Sequence, residues 1–329
     1  MSLISSAKGL LPGIAVSVIV GLAALFLSEH YGAPAMLFAL LLGIAMSFIY
    51  QDTKCTSGIE FSACHVLRIG VALLGFRIAF SDLVSMGWKT ALLLIVAIVS
   101  TILFGIILAR ILGLQKRFGV LTGGSVGICG ASAAMAISAV LPDGKSKDRD
   151  TLLTIIGVTT LSTVAMVVYP IFAGMLGLTE MQTSLFLGAT IHDVAQVVGA
   201  GYSVSEQAGD LATLTKLVRV AFLMPVVLCI VLVLKLKFAS ASMAKTPGIP
   251  GFLIAFVCIM TLNSVMDIPS QMTAYATDIS RFALVVSIAA IGMKSNLAQI
   301  TEVGFKPVVL IVAETIWIAV LVLACIKFL

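Results

Sequence analysis

Charged residues are scarce in this chain of 329 residues: Asp, Glu, Lys and Arg make up 11% of it, whereas hydrophobic residues make up 60%. The longest polar interruptions, residues 141–150 and 235–250, are too short to bury a core of their own. With a mean hydropathy of +1.17, the sequence excludes a soluble domain and predicts an integral membrane protein.

Common metal, nucleotide and nucleic-acid motifs are also missing. The three histidines show no H-x-x-x-H spacing, and the six cysteines lie mostly within apolar runs without a C-x-x-C pair, so we expect no metal site. No G-K-[ST] phosphate loop or G-x-S-x-G turn is present, which argues against ATP hydrolysis, and we expect no cofactor. The net charge of +5 is scattered, so we expect no nucleic-acid partner.

What the chain does contain is a succession of apolar runs, each close to the roughly 20 residues that span a bilayer as a helix. We predict an all-α polytopic membrane protein with about 11 transmembrane helices, forming one domain over residues 1–329 with approximate halves 1–176 and 177–329. The runs are 10–27, 33–50, 65–80, 90–112, 119–141, 152–176, 184–202, 211–234, 251–266, 282–297 and 308–328.

One internal repeat is visible. The stretch "ALLGFRIAFSDLVSMGWKTALLL" from Ala72 shares the pattern G-x-[RK]-x9-G-[WF]-K with "AAIGMKSNLAQITEVGFKPVVLI" from Ala289. The predicted spans place the copies an odd number of crossings apart, which is the mark of an inverted-topology repeat. Chance similarity between two apolar segments is the alternative.

Basic clusters give conflicting orientations. Lys and Arg mark the cytoplasmic side of a membrane protein, yet the cluster at 116–117 and the cluster at 145–149 flank a single apolar run, 119–141. A complete crossing would place the two clusters on opposite faces. Either this glycine-rich run does not cross simply, or one cluster is an exception.

Two Gly-rich polar stretches interrupt the apolar pattern: "VLTGGSVGICGASAAMAIS" at 120–138 and "GATIHDVAQVVGAG" at 188–201. Glycine weakens a helix, and unwound backbone within a membrane is tolerated only where it lines a cavity or is buried in protein. We therefore predict two discontinuous helices whose residues 123–130 and 190–196 approach each other around a site. The alternative is close helix packing through a small-xxx-small face, as at Gly123 and Gly127.

Ionisable residues in the second stretch sharpen this hypothesis. His192 and Asp193 lie in an apolar surround, where a charge costs about 3 kcal/mol, so a functional role is the default interpretation. Gln196 can bond to either neighbour on a helix. Capping of an interfacial helix end is the alternative. The predicted substrate or ion site comprises Gly123, Gly124, Ser125, Gly127, Cys129, Ser132, Thr190, His192, Asp193 and Gln196.

Basic residues within or beside the spans outnumber the acidic ones, Asp193 and Glu314. If several of the basic residues face one cavity, they attract an anion, and the positive N-termini of half-helices add to the effect. Snorkelling to the headgroups is the alternative for Arg281 and Lys294. The predicted anion-attracting residues are Arg68, Arg77, Lys216, Arg219 and Lys294.

Together with "LLGFRIAF" and "AIGMKSNL", the two Gly-rich stretches make the chain resemble, over nearly its whole length, the YeiH-like family, called the sulfate exporter family. The resemblance implies a multi-pass protein of the bacterial inner membrane whose fold is similar to bile-acid/sodium symporters and cation/proton antiporters. It places Gly123 to Ser132 on one crossing helix and Thr190 to Gln196 on the other. The second half departs from the symporter order, because its broken helix precedes its "AIGMK" helix, so symporter ion-site residues do not transfer.

From these features we predict a secondary transporter of a small anion (sulfate, sulfite or an organosulfur anion) working by alternating access. Proton or sodium coupling would run through Asp193, with His192 as its partner. An anion channel, and a membrane-embedded enzyme using Cys129 with His192, are the alternative classes. The lipid bilayer is an expected partner, and a homodimer is an open alternative.

Overall fold

The structure is a computed structural model that describes residues 3–32, 34–51, 53–78, 80–142, 146–237, 250–266, 268–295 and 305–327. These residues form sixteen α-helices and no β-strand, which confirms the all-α prediction. Short 3-10 and π turns follow α2, α3 and α4. The helices are α1 (Leu3–Tyr31), α2 (Ala35–Ala45), α3 (Thr53–Phe61), α4 (Leu67–Leu73), α5 (Phe80–Ser85), α6 (Gly87–Ile111), α7 (Lys116–Gly127), α8 (Ala131–Val140), α9 (Lys147–Met175), α10 (Glu180–Thr190), α11 (Val194–Tyr202), α12 (Glu206–Ala221), α13 (Leu223–Lys237), α14 (Gly251–Val265), α15 (Ser270–Lys294) and α16 (Phe305–Ile326).

All eleven predicted apolar runs lie on helical segments, but the segments differ in length. Four of the runs, 33–50, 119–141, 184–202 and 251–266, fall on the short helices α2 and α14 and on the interrupted pairs α7–α8 and α10–α11. The remaining seven runs fall on longer segments. Seven segments among the described residues are long and apolar enough to cross a membrane: Gly9–Tyr31, Lys54–Phe76, Gly87–Ile111, Lys147–Met175, Glu206–Leu234, Gln271–Lys294 and Phe305–Ile326.

Two spans begin about a dozen residues earlier than the apolar runs predict. The predicted starts are residues 65 and 282, whereas the spans start at Lys54 and Gln271. The added turns carry Glu60 in the first span and Asp278 in the second, and both side chains are exposed. Hydropathy misses such turns because charged residues on an exposed helix face lower the average without ending the helix.

The chain divides into two compact units, and each takes segments from both halves of the sequence. The division into halves at residue 176 stays a prediction, as does the single domain. The first unit comprises 1–86, 198–210 and 250–296, and the second comprises 87–197, 211–249 and 297–329.

The first unit supports the repeat seen in the sequence. A Cβ added at Gly292 on α15 would lie 2.9 Å from Cα of Gly43 on α2, and a Cβ added at Gly75 would lie 2.9 Å from the backbone N of Met260 on α14. Gly292 follows Gly75 by 217 residues, and Met260 follows Gly43 by the same 217. The two copies therefore make equivalent close contacts, because each glycine lets a helix backbone approach its neighbour.

In the second unit, α7 and α8 fold back on each other as a helical hairpin. Gly124 of α7 faces Ile137 of α8, at a distance that leaves no room for a Cβ. At the open end, Arg117 Nη2 donates a 2.9 Å hydrogen bond to Oγ of Ser146, the N-cap residue of α9. The two helices have 12 and 10 residues, so each is about half as long as a membrane span. The predicted discontinuity is confirmed, and here it takes the form of a hairpin.

This hairpin removes the conflict between the basic clusters. Since α7 enters and α8 returns, Lys116 and Arg117 lie at the same end of the hairpin as Ser146 and Lys147. Both clusters can then face the cytoplasm, as basic residues near membrane segments do. Apolar run 119–141 is therefore two half-length helices rather than one crossing.

The second interrupted pair also turns the chain back. Gly188 of α10 lies against Thr215 of α12. Ile191, three residues later, accepts hydrogen bonds from Lys216 and Arg219 of the same helix. Thus α10 and α12 run in the same direction, so the chain must reverse between them, at the break that leads into α11.

Candidate substrate and ion site

The two helix breaks meet within the second unit. The first break lies between α7 and α8, at residues 128–130, and the second lies between α10 and α11, at residues 191–193. Gly130 has a φ of +62°, a conformation that side chains disfavour, and a Cβ added there would lie 3.6 Å from His192. The predicted approach of 123–130 to 190–196 is confirmed, and the predicted irregular backbone is confined to residues 128–130 and 191–193.

Lys216 of α12 joins the two breaks. Its Nζ donates hydrogen bonds of 2.8 Å to the carbonyl of Ile128 and of 2.8 and 2.6 Å to the carbonyls of Ile191 and His192. The side chain has no exposed surface. All three donors of its ammonium group are therefore engaged by backbone carbonyls.

Arg219, one helical turn further along α12, completes the arrangement and is equally buried. Its Nε donates to the carbonyl of Gly127 at 2.6 Å and its Nη1 to that of Ile191 at 3.0 Å, while Nη2 donates to Val126. These are carbonyls at the C-terminal ends of α7 and α10, which carry partial negative charge. Two buried cations thus neutralise the carbonyl ends of both broken segments.

The opposite polarity is left at the beginnings of α8 and α11. The N-cap of α8, Gly130, has no side chain to cap the helix, and the Cys129 side chain lies within hydrogen-bonding reach of the backbone N–H of Ala133 in its first turn. Ser132, in the first turn of α8, is exposed, whereas Cys129 is buried. A helix N-terminus with a nearby hydroxyl is a ready site for an anion, because the first backbone N–H groups have no partner within the helix.

The glycines before the break are packing residues. Added Cβ atoms at Gly123 and Gly127 would meet Thr101 and Ile98 of α6, and α7 stays helical through both positions. The small-xxx-small interpretation therefore describes these positions, as well as Gly124 inside the hairpin. Among the glycines of residues 123–130, only Gly130 has the left-handed backbone conformation that favours glycine.

The hydroxyls of Ser125 and Thr190 are buried and turned into their own helices. Ser125 Oγ donates to the carbonyl of Leu121 and Thr190 Oγ1 to that of Phe186, each at 2.5 Å. Each oxygen keeps acceptor capacity after donating its proton. Their predicted role as ligands stays a prediction.

His192, Asp193 and Gln196 surround the second break. His192 is fully buried, and its Nε2 lies 3.0 Å from Thr315 Oγ1 of α16. Asp193 is partly exposed, and its backbone N–H donates to Ser162 Oγ of α9 at 3.1 Å. Gln196 is buried, with no partner for its Oε1 among the described residues. A buried amide oxygen without a partner is costly, and a ligand could supply the missing donor.

The other three predicted basic residues belong to the first unit. Arg68 and Lys294 are exposed. Arg77 pairs with Asp210 at 2.6 Å and with Glu206 at 3.0 Å, beside a cavity of about 330 Å³. Their contribution to anion attraction stays a prediction.

Sequence reasoning did not identify the residues that support the breaks. Ser162 and Thr315 gave no signal, because single hydroxyls are frequent in membrane helices. Glu314 did give a signal, because it is an acidic residue within an apolar run. Its side chain is fully buried, and its Oε1 accepts a 2.8 Å hydrogen bond from Thr122 of α7. Its Oε2 has no partner among the described residues. α16 thus contacts the first hairpin through Glu314 and the second break through Thr315.

Gly105 makes room for the Glu314 carboxyl. An added Cβ would overlap Oε1 of Glu314 and lie 2.7 Å from the carbonyl oxygen of Gly119. We expect Gly105→Ala to lower the free energy of unfolding by about 1–3 kcal/mol, because α6 and α7 must separate. Thermal unfolding of the purified protein in detergent measures this change.

Gly174→Ala is the matched control, since an added Cβ at this helical glycine meets nothing within 4 Å. The control should unfold at the wild-type temperature or slightly above it, because alanine favours a helix over glycine. Equal unfolding temperatures for the two variants would contradict the close packing of α6, α7 and α16.

These observations define a polytopic all-α membrane protein with two interrupted helix pairs joined by buried cations. Residues 12–311 match the model of the family described as conserved hypothetical protein 698. The chain belongs to this family, which confirms the family resemblance.

Three similar bacterial membrane proteins are matched over most of their length. A UPF0324 membrane protein of Rhizobium meliloti is 53% identical over 326 residues, covering 98% of this chain and 94% of the relative. The UPF0324 membrane protein TauZ of Paracoccus pantotrophus is 51% identical over 316 residues, covering 95% and 94%. A UPF0324 membrane protein of Chlorobaculum tepidum is 50% identical over 314 residues, covering 95% of this chain and 88% of the relative.

Among solved structures, the sodium proton antiporter MjNhaP1 from Methanocaldococcus jannaschii at pH 8 is similar over 95% of this chain and 97% of its own. The sequence identity is 15% and the TM-score 0.28. A TM-score this low carries no conclusion about the fold or the function of this chain.

Proposed function

We propose that this protein is a secondary active transporter of a small anion, from the class of sulfate, sulfite and organosulfur anions, in the bacterial inner membrane. The observation that carries the proposal is the polarity of the two breaks. Lys216 and Arg219 neutralise the carbonyl ends of α7 and α10. The positive N-terminal end of α8, and that of α11 once the Asp193 carboxylate before it is neutralised, remain for a negatively charged substrate.

The anion would bind at the first turns of α8 and α11. Ser132 provides an exposed hydroxyl there, and Gln196 can donate its amide N–H groups. His192 would hold the second break in place through Thr315. Binding energy from backbone N–H groups depends on the geometry of the break, so movement of the hairpins during an alternating-access cycle would change the affinity.

Asp193 is the proposed coupling residue. Its carboxylate interacts electrostatically with Lys216 and lies beside the proposed anion site. A carboxylate at this position repels an anion, and neutralising it by a cation or proton removes that repulsion. Binding of the coupling ion would therefore favour binding of the substrate.

Two other functions use the same residues. An anion channel would conduct through the meeting point of the breaks. A membrane-embedded enzyme would use Cys129 as nucleophile and His192 as base, and retained transport in Cys129→Ala would contradict this alternative.

Stabilisation of the purified protein by its substrate tests the proposed anion site. We expect one member of a panel of sulfate, sulfite, taurine, bicarbonate and small carboxylates to raise the unfolding temperature, because a ligand at 100 times its Kd stabilises the fold by about 2.7 kcal/mol. Ser132→Asp should abolish this shift, since it places a negative charge at the N-terminus of α8 while remaining compatible with a helix start.

Ser81→Asp is the control, because Ser81 is also exposed in the first turn of a helix, α5, but belongs to the first unit. It should keep the full ligand-induced shift. An equal loss of the shift in both variants, or no shift with any anion, would contradict the proposed site.

A further inference from the structure

The geometry around Lys216 defines its chemical form. Three carbonyl oxygens, from Ile128, Ile191 and His192, lie 2.6 to 2.8 Å from its Nζ. A neutral amine has only two N–H groups, whereas an ammonium group has three. The arrangement therefore holds a complete cation inside a cage of carbonyl oxygens contributed by both breaks.

Membrane transporters with broken helices often bind their coupling sodium at such a place. Unwound backbone carbonyls and the C-terminal ends of half-helices supply the oxygen ligands for Na⁺. Here the same groups already face the ammonium of Lys216 and the guanidinium of Arg219, and Ile191 is shared by both cations. A sodium ion would bring a third positive charge to carbonyls that have their partners.

We propose that Lys216 is a built-in cation that occupies the position of a coupling sodium ion, so that the breaks are held together without any alkali cation. The coupling ion of the proposed transport cycle is then a proton. This last step rests on the proposed function, whereas occupancy of the carbonyl cage by Lys216 does not.

Removal of the ammonium should turn the cage into a cation site. Lys216→Ala removes the Lys216 donor from the carbonyls of Ile128 and His192, while Ile191 keeps its hydrogen bond from Arg219. It also opens space in a fully buried position. Small cations that can replace an ammonium group, Na⁺ and methylammonium, should then stabilise the variant, while choline is too large to enter.

The experiment compares unfolding temperatures of the purified protein in NaCl, methylammonium chloride and choline chloride at equal ionic strength. The wild type should unfold at one temperature in all three salts. Lys216→Ala should unfold at a lower temperature in choline chloride, and NaCl or methylammonium chloride should raise it by about 4 °C. A residue with a merely structural role would give no such cation-selective rescue.

Two variants serve as controls. Lys216→Met fills the space without a charge and should show no rescue, and Lys89→Ala removes an exposed lysine of α6 and should behave as the wild type does. Selective stabilisation of the wild type by NaCl over choline chloride would overturn the proposal. So would a Lys216→Ala variant that responds to the salts as Lys89→Ala does.

The wild-type comparison decides the matter alone if Lys216→Ala does not fold: one unfolding temperature in all salts supports the built-in cation, and sodium-selective stabilisation refutes it. None of these measurements uses an anion or a transport assay. If no anion stabilises the protein, the proposed function is contradicted and the proposed cation cage is not affected. If sodium selectively stabilises the wild type, the cation cage is contradicted and the proposed anion site is not affected.

Discussion

Arg219→Met should abolish transport and lower the free energy of unfolding by about 3–5 kcal/mol, the cost typical of breaking a buried charged network. The substitution keeps an unbranched side chain but leaves the carbonyls of Val126 and Gly127 at the end of α7 without donors in a fully buried place. Chemical unfolding in detergent measures the free energy of unfolding. Uptake by proteoliposomes of the anion that stabilises the purified protein measures transport.

Arg281→Met is the matched control. Arg281 is 55% exposed and pairs with Glu206 at 3.1 Å, and exposed ion pairs contribute only about 0–1 kcal/mol. Arg219→Lys should recover the stability only in part, because one ammonium group cannot replace the planar guanidinium that bridges several carbonyls. Wild-type stability and transport in Arg219→Met would show that the breaks do not depend on this cation.

Asp193→Asn should abolish accumulation driven by an ion gradient while leaving the protein folded. Asparagine keeps the shape of the side chain and removes the charge that the coupling ion neutralises, so exchange without a gradient should survive better than uphill transport. Initial rates of uptake by proteoliposomes, with and without an imposed proton gradient, separate the two activities.

Asp148→Asn tests whether loss of any carboxylate has this effect, because Asp148 is exposed in the first turn of α9. It should retain gradient-driven accumulation. If Asp193→Asn retains it too, coupling does not pass through Asp193, and Glu314 becomes the next carboxyl to test.

The sequence predicted the class of fold and the position of both breaks, because hydropathy and glycine content depend on local composition. It did not predict the hairpin of α7 and α8. An apolar run of 23 residues, 119–141, has the same composition whether it crosses the membrane or turns back at Gly130. Only the conflict between the basic clusters indicated that the run does not cross simply.

The roles of the glycines and of the buried cations also needed the structure. Gly124 and Gly130 are both glycines within one stretch, yet one packs against Ile137 and the other adopts a positive φ. Lys216 and Arg219 were predicted to attract an anion because they are basic residues in an apolar run. Their carbonyl partners come from segments 24 to 93 residues away in sequence, and no local pattern reveals contacts at that range.

Counterflow in proteoliposomes tests most directly whether the meeting breaks form an anion transport site. Vesicles loaded with the anion that stabilises the purified protein are diluted into a trace of the same anion in labelled form. We predict a transient accumulation of label above its equilibrium level that saturates with internal anion and is lost in Ser132→Asp. Uptake without overshoot, rising in proportion to concentration and accompanied by an ionic current, would contradict a transporter and indicate a channel.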